Sequence, residues 1–434
     1  MTETISLCSE QRFQDYVSHL ATALGHADRT EHLASYCTGL LLPGERKSVE
    51  PMAARLDPAH VPSAYQALHH FVATAPWSDA AVLTAVRERV LPALLRQGPI
   101  TAWILDDTGF PKKGKHSVGV ARQYCGQLGK QDNCQVAVSL SLAHEWASLP
   151  VAFDLYLPED WANDPIRRAK TGVPPEVTFQ TKPQIAVQQI RRALAEGLPP
   201  GVILADAGYG ADTDFRTALT AWNLTYVVGV QSSLGVWPPG AGPVPPKPWS
   251  GTGRPPKLRR RDREHQPVSA KQLAQTLEPA AWQSVTWRQG SQGELSGRFA
   301  AVRVRPSHRD DERAEPHAEE WLLIEWPEGE PEPTKYWLST LPDTIPLVDL
   351  VFLAKLRWRI ERDYQDLKQE LGLDHYEGRS WRGFHHHATL CLAAYGFLVC
   401  ERSLFPPEPP FRRQAPALPA GWRPRGHSDP IRAA

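Results

Sequence analysis

Three acidic residues stand out for the chemistry they could perform together: Asp106 in Asp106-Asp107-Thr108, Asp206 in Ala205-Asp206-Ala207-Gly208-Tyr209, and Glu361 in Arg357-Trp358-Arg359-Ile360-Glu361. Asp106 and Asp206 each follow a short apolar run, Thr101 to Leu105 and Val202 to Ala205, of the kind that forms a buried strand. Strand-end carboxylates lie where open α/β sheets place their ligands. Glu361 falls beside a helical stripe of Leu353, Leu356, Ile360, Tyr364, Leu367 and Leu371, and the spacing puts Arg357 and Lys368 on its flank. Two carboxylates from strands and a third from a late helix make an oxygen-only donor set for two hard divalent cations, which suits phosphodiester chemistry. Taken singly, each acid also reads as a turn, a cap or a solvated ion pair. Their order along the chain and the basic residues beside them favour the divided site.

The elements that must position these residues can be read from periodicity. Phe13, Tyr16, Leu20 and Leu24, then Val82, Val86, Val90 and Leu94, repeat at helical spacing. Residues 1–98 therefore read as a helical N-terminal domain, and Arg46, Lys47 and Arg55 within it suggest DNA contact. Residues 99–235 open an α/β core, with strands expected over 101–105, 117–124, 135–142 and 151–157. Helix 184–198, strand 202–205, helix 214–222 and strand 224–230 complete that part. Residues 236–343 join a Pro/Gly-rich linker to a β-rich insertion, with strands at 284–288, 298–305, 321–326 and 336–339, expected as a separate block. Residues 344–404 supply the last core helices, and 405–434, rich in Pro and Arg, read as a disordered tail.

Formal charge is balanced at 48 basic and 48 acidic side chains, so a polyanion must be met by local clusters such as Lys112 to Lys115 and Arg254 to Arg263. The six cysteines include no CxxC pair, which argues against a zinc knuckle and points to free thiols in a reducing compartment. No apolar run is long enough for a bilayer and the N-terminus is polar, so a cytoplasmic, membrane-free location is expected. His385-His386-His387 cannot converge on one metal from consecutive helical positions and read as surface or DNA-facing residues. Trp287, Trp326 and Trp337 are candidates to stack on an unpaired base, and Gly253-Arg254-Pro255-Pro256-Lys257 for a minor-groove hook. A carboxylate-pair glycosidase is a weaker reading, because the residues flanking the acids suit polyanions better than sugars.

The segments Asp106 to Gly114, Ala205 to Tyr209 and Arg357 to Glu361 resemble those of the DDE transposases of bacterial insertion sequences, over about residues 100 to 400. The resemblance implies an α/β fold with a ribonuclease-H-like mixed sheet and flanking helices, interrupted by a β-rich insertion before the Glu and preceded by the helical domain. It implies Asp106, Asp206 and Glu361 as catalytic and metal-binding residues, with two Mg²⁺ ions for which Mn²⁺ can substitute. It implies double-stranded DNA as substrate, nicked at the element's ends and joined to target DNA through the freed 3′-hydroxyl. A homodimer holding paired ends at the nucleoid is implied by the same resemblance. Arg357, Glu361 and Lys368 fit the branch's Tyr-x2-Arg-x3-Glu-x6-Lys signature, with Ala354 where the Tyr would stand. The Asp-x-Thr pattern selects Asp106 at the first position, and Asp107 is the alternative. DNA contacts are expected from Arg357, Lys368, Lys112, Lys113, Lys115, Arg122 and Arg254. The alternative function is a catalytically silent DNA-binding protein derived from a transposase.

Overall fold

A computed structural model describes residues 8–290 and 293–405, so the expected tail lies, past Phe405, outside the described residues. The chain divides into two compact units, one built from residues up to Pro200 with the segment from Trp358 onward, the other from Gly201–Arg357.

In the first unit the helices Ser9–Ala21, Arg29–Leu41, Val49–Leu56, Val61–Ala73 and Asp79–Gln97 share a core with the last helix, Trp381–Leu404. That last helix is buried continuously from Gly383 to Phe397. Tyr16 donates to the Ala393 carbonyl at 2.8 Å, and Phe13 meets Phe397 edge-on. The histidine triplet is therefore interior, which overturns its reading as surface or DNA-facing. His386 sits 3.1 and 3.0 Å from the Val72 and Trp77 carbonyls and stacks on the Trp77 ring. His387 lies 2.9 Å from the Tyr36 hydroxyl and 3.0 Å from the Gly372 carbonyl. Consecutive helical side chains radiate in different directions, so all three are buried only because the helix is enclosed on every side. Burial pushes His386 and His387 down to about 4. Among the described residues no helix is long and apolar enough to cross a membrane.

The first unit's strands are β1 (Ala102–Pro111), β2 (Ala121–Cys125), β3 (Lys130–Ala143) and β4 (Ser148–Leu155). All pairings are antiparallel: β1 runs along one edge of the long β3, while β2 and β4 succeed one another along the other. β1 does not end at the aspartates as expected. It continues to Pro111 because β3 offers partners as far as Cys134, and Thr108, Gly109 and Phe110 are buried there. Directly paired residues point to the same face of a sheet. Asp106, Ser139 and Phe153 thus form one row, and Asp107, Val138 and Asp154 the opposite one. The Asp106 face carries the C-terminal helices: Phe153 and Phe110 both meet Phe384. The Asp107 face carries the helix Lys182–Ala195, started by a Thr181/Gln184 capping box and tied down by Gln189, which donates to the Val138 carbonyl.

In the second unit, β5 (Val202–Ala205) and β6 (Tyr226–Val230) are parallel and joined through the helix Thr213–Ala221. The insertion supplies β7 (Gly235–Trp237), β8 (Val268–Ser269), β9 (Gln283–Gly290), β10 (Gly293–Pro306), β11 (Glu320–Trp326) and β12 (Lys335–Ser339). It is not a separate block: β12 pairs antiparallel with β6, from Tyr336 against Val230 to Ser339 against Val227, and β10, β11 and β12 continue the same sheet. The stretch read as linker begins as a strand, with Trp237 buried against β10. The fold is α/β: a mixed sheet with flanking helices and a β-rich insertion, with helices preceding it.

Candidate active site

Neighbours in sequence, Asp106 and Asp107 are separated by the pleat. Asp107 forms an ion pair with Lys182 at 2.8 Å on the face of the Lys182–Ala195 helix. Asp106 accepts the Asp107 N–H at 2.9 Å through Oδ1 and shares its row with Ser139. The Ser139 hydroxyl lies 2.8 Å from that of Tyr364, on the helix Trp358–Gln365 that carries Glu361. Burial, and next the negative charge of Asp106, hold the Tyr364 phenol well above its ordinary range. Asp106 and the Glu361 helix therefore occupy one face of the first sheet, and Asp107 the other.

The expected single helix through Leu371 is three segments. Leu347–Leu356 stops at Arg357, Trp358–Gln365 comes next, and Asp366–Glu370 is a π-helical turn. π-Turns recur at functional sites, and the widened turn rotates the residues C-terminal to it about the helix axis. Ile360, Asp363 and Tyr364 are buried while Glu361 is exposed. Lys368, expected on the flank of Glu361, is turned inward by the π-turn instead. It donates to the Gly109 carbonyl at 2.7 Å and to Gln127 at 3.1 Å above the Phe110 ring, and burial lowers its pKa. Ala354 is buried on the preceding helix, and Arg357 is half-buried at the helix break.

Asp206 belongs to the second unit, at the C-terminal end of β5, where it caps the turn Ala207–Gly210 by accepting the Gly208 N–H at 2.8 Å. Glycines allow this seat. A Cβ on Gly229 of β6 would stand 2.8 Å from the Ala207 nitrogen, and one on Gly210 only 2.0 Å from the Gly229 carbonyl oxygen. The turn thus lies directly on β6, and Asp206 is set by backbone packing. Among the described residues no group of three or more His, Cys, Asp or Glu side chains stands close enough to hold a metal ion. The proposed donors are all carboxylates, a set that fits a hard divalent cation and no soft one.

The expected DNA-contacting cations fall into two sets. Lys113, Lys115, Arg122 and Arg254 are exposed. The loop holding Lys113 is fixed by Asn133, whose amide donates to the Lys112 and Gly114 carbonyls. Lys112 is turned inward, donating to the Tyr376 carbonyl at 2.7 Å, and burial lowers its pKa. Beyond Arg254, the basic run is partly consumed internally, since Arg261 makes a two-pronged contact with the buried Asp310 at 3.0 and 2.7 Å. In the N-terminal helices, buried Lys47 donates to the Leu40 and Leu42 carbonyls, and Arg46 pairs with Glu377. Of the three tryptophans, Trp287 and Trp337 flank Lys355, whose ammonium is paired with Glu325 at 2.6 Å. Trp326 lies under the Arg298 guanidinium at 4.3 Å.

Sequence reasoning missed Ser139, Ser141 and Asp363, and read Tyr364 only as part of the apolar stripe. A signal was present: in Val136-Ala137-Val138-Ser139-Leu140-Ser141 the hydroxyls recur every second residue of an otherwise apolar strand, marking one polar face.

The chain is 35% identical over 169 residues to a probable transposase for insertion sequence element IS701 from Microchaete diplosiphon, a match covering 39% of this chain and 41% of that relative. A family model described as DDE superfamily endonuclease matches residues 19–294, a stretch that contains Asp106 and Asp206 and stops before Glu361. With more than half of its length matched, the chain belongs to the DDE superfamily endonucleases.

Proposed function

We propose that the chain is the transposase of a bacterial insertion sequence, nicking DNA at the element's ends and joining the freed 3′-hydroxyl to target DNA. The observation that carries the reading is the placement of Asp106 on the sheet face that bears the Glu361 helix, with Asp107 turned away to Lys182. Family membership and the IS701 relative support it. Asp106, Asp206 and Glu361 would hold two Mg²⁺ ions, or Mn²⁺ in their place. When bound, the ions supply activation of the attacking oxygen and stabilisation of the leaving oxygen.

The protein's own part is to present carboxylates and to hold phosphate. The Asp106 carboxylate is fixed by the Asp107 N–H and by its place in a fully paired strand. Asp206 is fixed by the Gly208 N–H and the glycine seat on β6. Exposed Lys113, Lys115, Arg122 and Arg254 meet phosphate oxygens, Lys as point charges and Arg as forks. Arg357 and Lys368 complete the DNA contacts if the inward Lys368 exchanges its carbonyl for a phosphate oxygen. Residues 1–98 contribute to DNA binding, two copies of the chain pair the two ends, and the protein works at the bacterial nucleoid.

A plasmid carrying the element's own ends tests this reading, incubated with Mg²⁺ or with EDTA and with wild type or Glu361→Ala. Metal-dependent cuts at the ends, absent from the variant, are expected. Specific end binding without cuts by the wild type would instead identify a silent DNA-binding descendant.

A further inference from the structure

Two residues beyond Glu361, Asp363 is 1% exposed and accepts three hydroxyl hydrogen bonds from three different elements. Ser141 of β3 donates to Oδ2 at 3.1 Å, Ser148 at the start of β4 donates to Oδ1, and Tyr395 of the last helix donates to Oδ1 at 2.8 Å. None of the three donors is a cation. Burying a carboxylate among neutral hydroxyls costs free energy that an apolar side chain at the same place would not. What it gives is direction, because three donors from fixed elements leave a helix little freedom to rotate about its axis. Tyr364 adds a further point of attachment through Ser139 in the Asp106 row. Successive helical residues are about 100° apart, so an inward Asp363 and Tyr364 put Glu361 on the open flank.

We propose that Asp363 is a positioning residue that sets the rotation of the Trp358–Gln365 helix, and hence the Glu361 carboxylate, for metal binding. The inference rests on the reading of Glu361 as a metal ligand. Ser141, Ser148 and Tyr395 act through Asp363, and none of the four touches metal or DNA.

The test uses full-length protein with end-bearing duplex DNA, and reads bound Mn²⁺ by electron paramagnetic resonance. Asp363→Asn keeps the size of the side chain but cannot accept all three hydroxyls. Tyr395→Phe removes one donor and leaves the carboxylate in place, so it serves if Asp363→Asn fails to fold. Both variants should bind Mn²⁺ about 10- to 100-fold more weakly than wild type, as loss of a ligand's supporting partner does. The Mg²⁺ concentration for half-maximal cleavage should rise in parallel, with KM for DNA unchanged, a split that loss of stability alone does not produce. If Glu361→Ala removes Mn²⁺ binding while Asp363→Asn and Tyr395→Phe leave it unchanged, the positioning role is overturned and the ligand reading stands. Mn²⁺ binding that survives Glu361→Ala overturns both.

Discussion

The two faces of the first sheet handle buried charge in opposite ways. On the Asp107 face, carboxylates meet cations: Asp107 pairs with Lys182 and Asp154 with Arg192, in ion pairs that are partly solvated. On the Asp106 face, Asp363 is sealed from solvent and takes its hydrogen bonds from three hydroxyls, with the charge of Arg359 acting on it more weakly, and the phenol of Tyr364 is buried beside Asp106. Partly exposed ion pairs tolerate side-chain motion and contribute little to stability. Hydroxyl networks in a dry interior are directional and costly to disturb. Asp107 and Asp154 are held by charge, and Asp363 is held by directional hydroxyl bonds. A carboxylate proposed to hold a metal needs geometry.

The largest expected effect that sharpens this contrast is on stability. Asp363→Ala leaves three buried hydroxyls without their acceptor, at about 1–3 kcal/mol each, so thermal unfolding should reveal a loss of at least about 3 kcal/mol. A loss no larger than that of an exposed ion pair would remove the distinction between the faces. Asp206 offers a third case, set by backbone approach: Gly210→Ala forces a methyl against the Gly229 carbonyl and should cost about 1–3 kcal/mol or more in a denaturant titration.

Acid is expected to act beneath the Asp106 face. The folded-state pKa values of His386 and His387 lie near 4, below the 6.5 of a free imidazole. Their contribution to stability is therefore present above pH 6.5 and lost as pH falls toward about 4. The melting temperature should fall across that window, and His386→Gln should flatten the fall. Asp363, whose burial raises its pKa to about 6, acts in the opposite sense over that window, so a pH dependence left unchanged by His386→Gln would contradict the buried, neutral imidazoles. The smallest effect belongs to the charge-held face: Asp107→Ala should change stability by about 1 kcal/mol or less, with the difference shrinking further in high salt.

Much of the architecture was legible from periodicity. β5 is formed by Val202 to Ala205, the run expected, and the insertion's four longer strands lie where alternation placed them. What escaped depended on long-range partners. Alternation cannot say that β12 will hydrogen-bond β6, nor that β1 will continue past Asp107 because β3 is long enough to pair with it. The histidine triplet was misplaced because local polarity says nothing about a helix enclosed on all sides. For the candidate site, the residue types and their order were readable. The division of Asp106 from Asp107 was not, since it depends on which helix covers which face. Lys368 needed the π-turn, a backbone feature with no residue signature here.

The most direct test of the account is cleavage of end-bearing DNA in Mg²⁺ by Asp106→Ala and Asp107→Ala proteins, measured side by side with wild type. The account predicts no measurable cleavage by Asp106→Ala and a rate within about tenfold of wild type for Asp107→Ala, a span of about 1.4 kcal/mol in activation free energy. Cleavage that survives Asp106→Ala and vanishes with Asp107→Ala would contradict it.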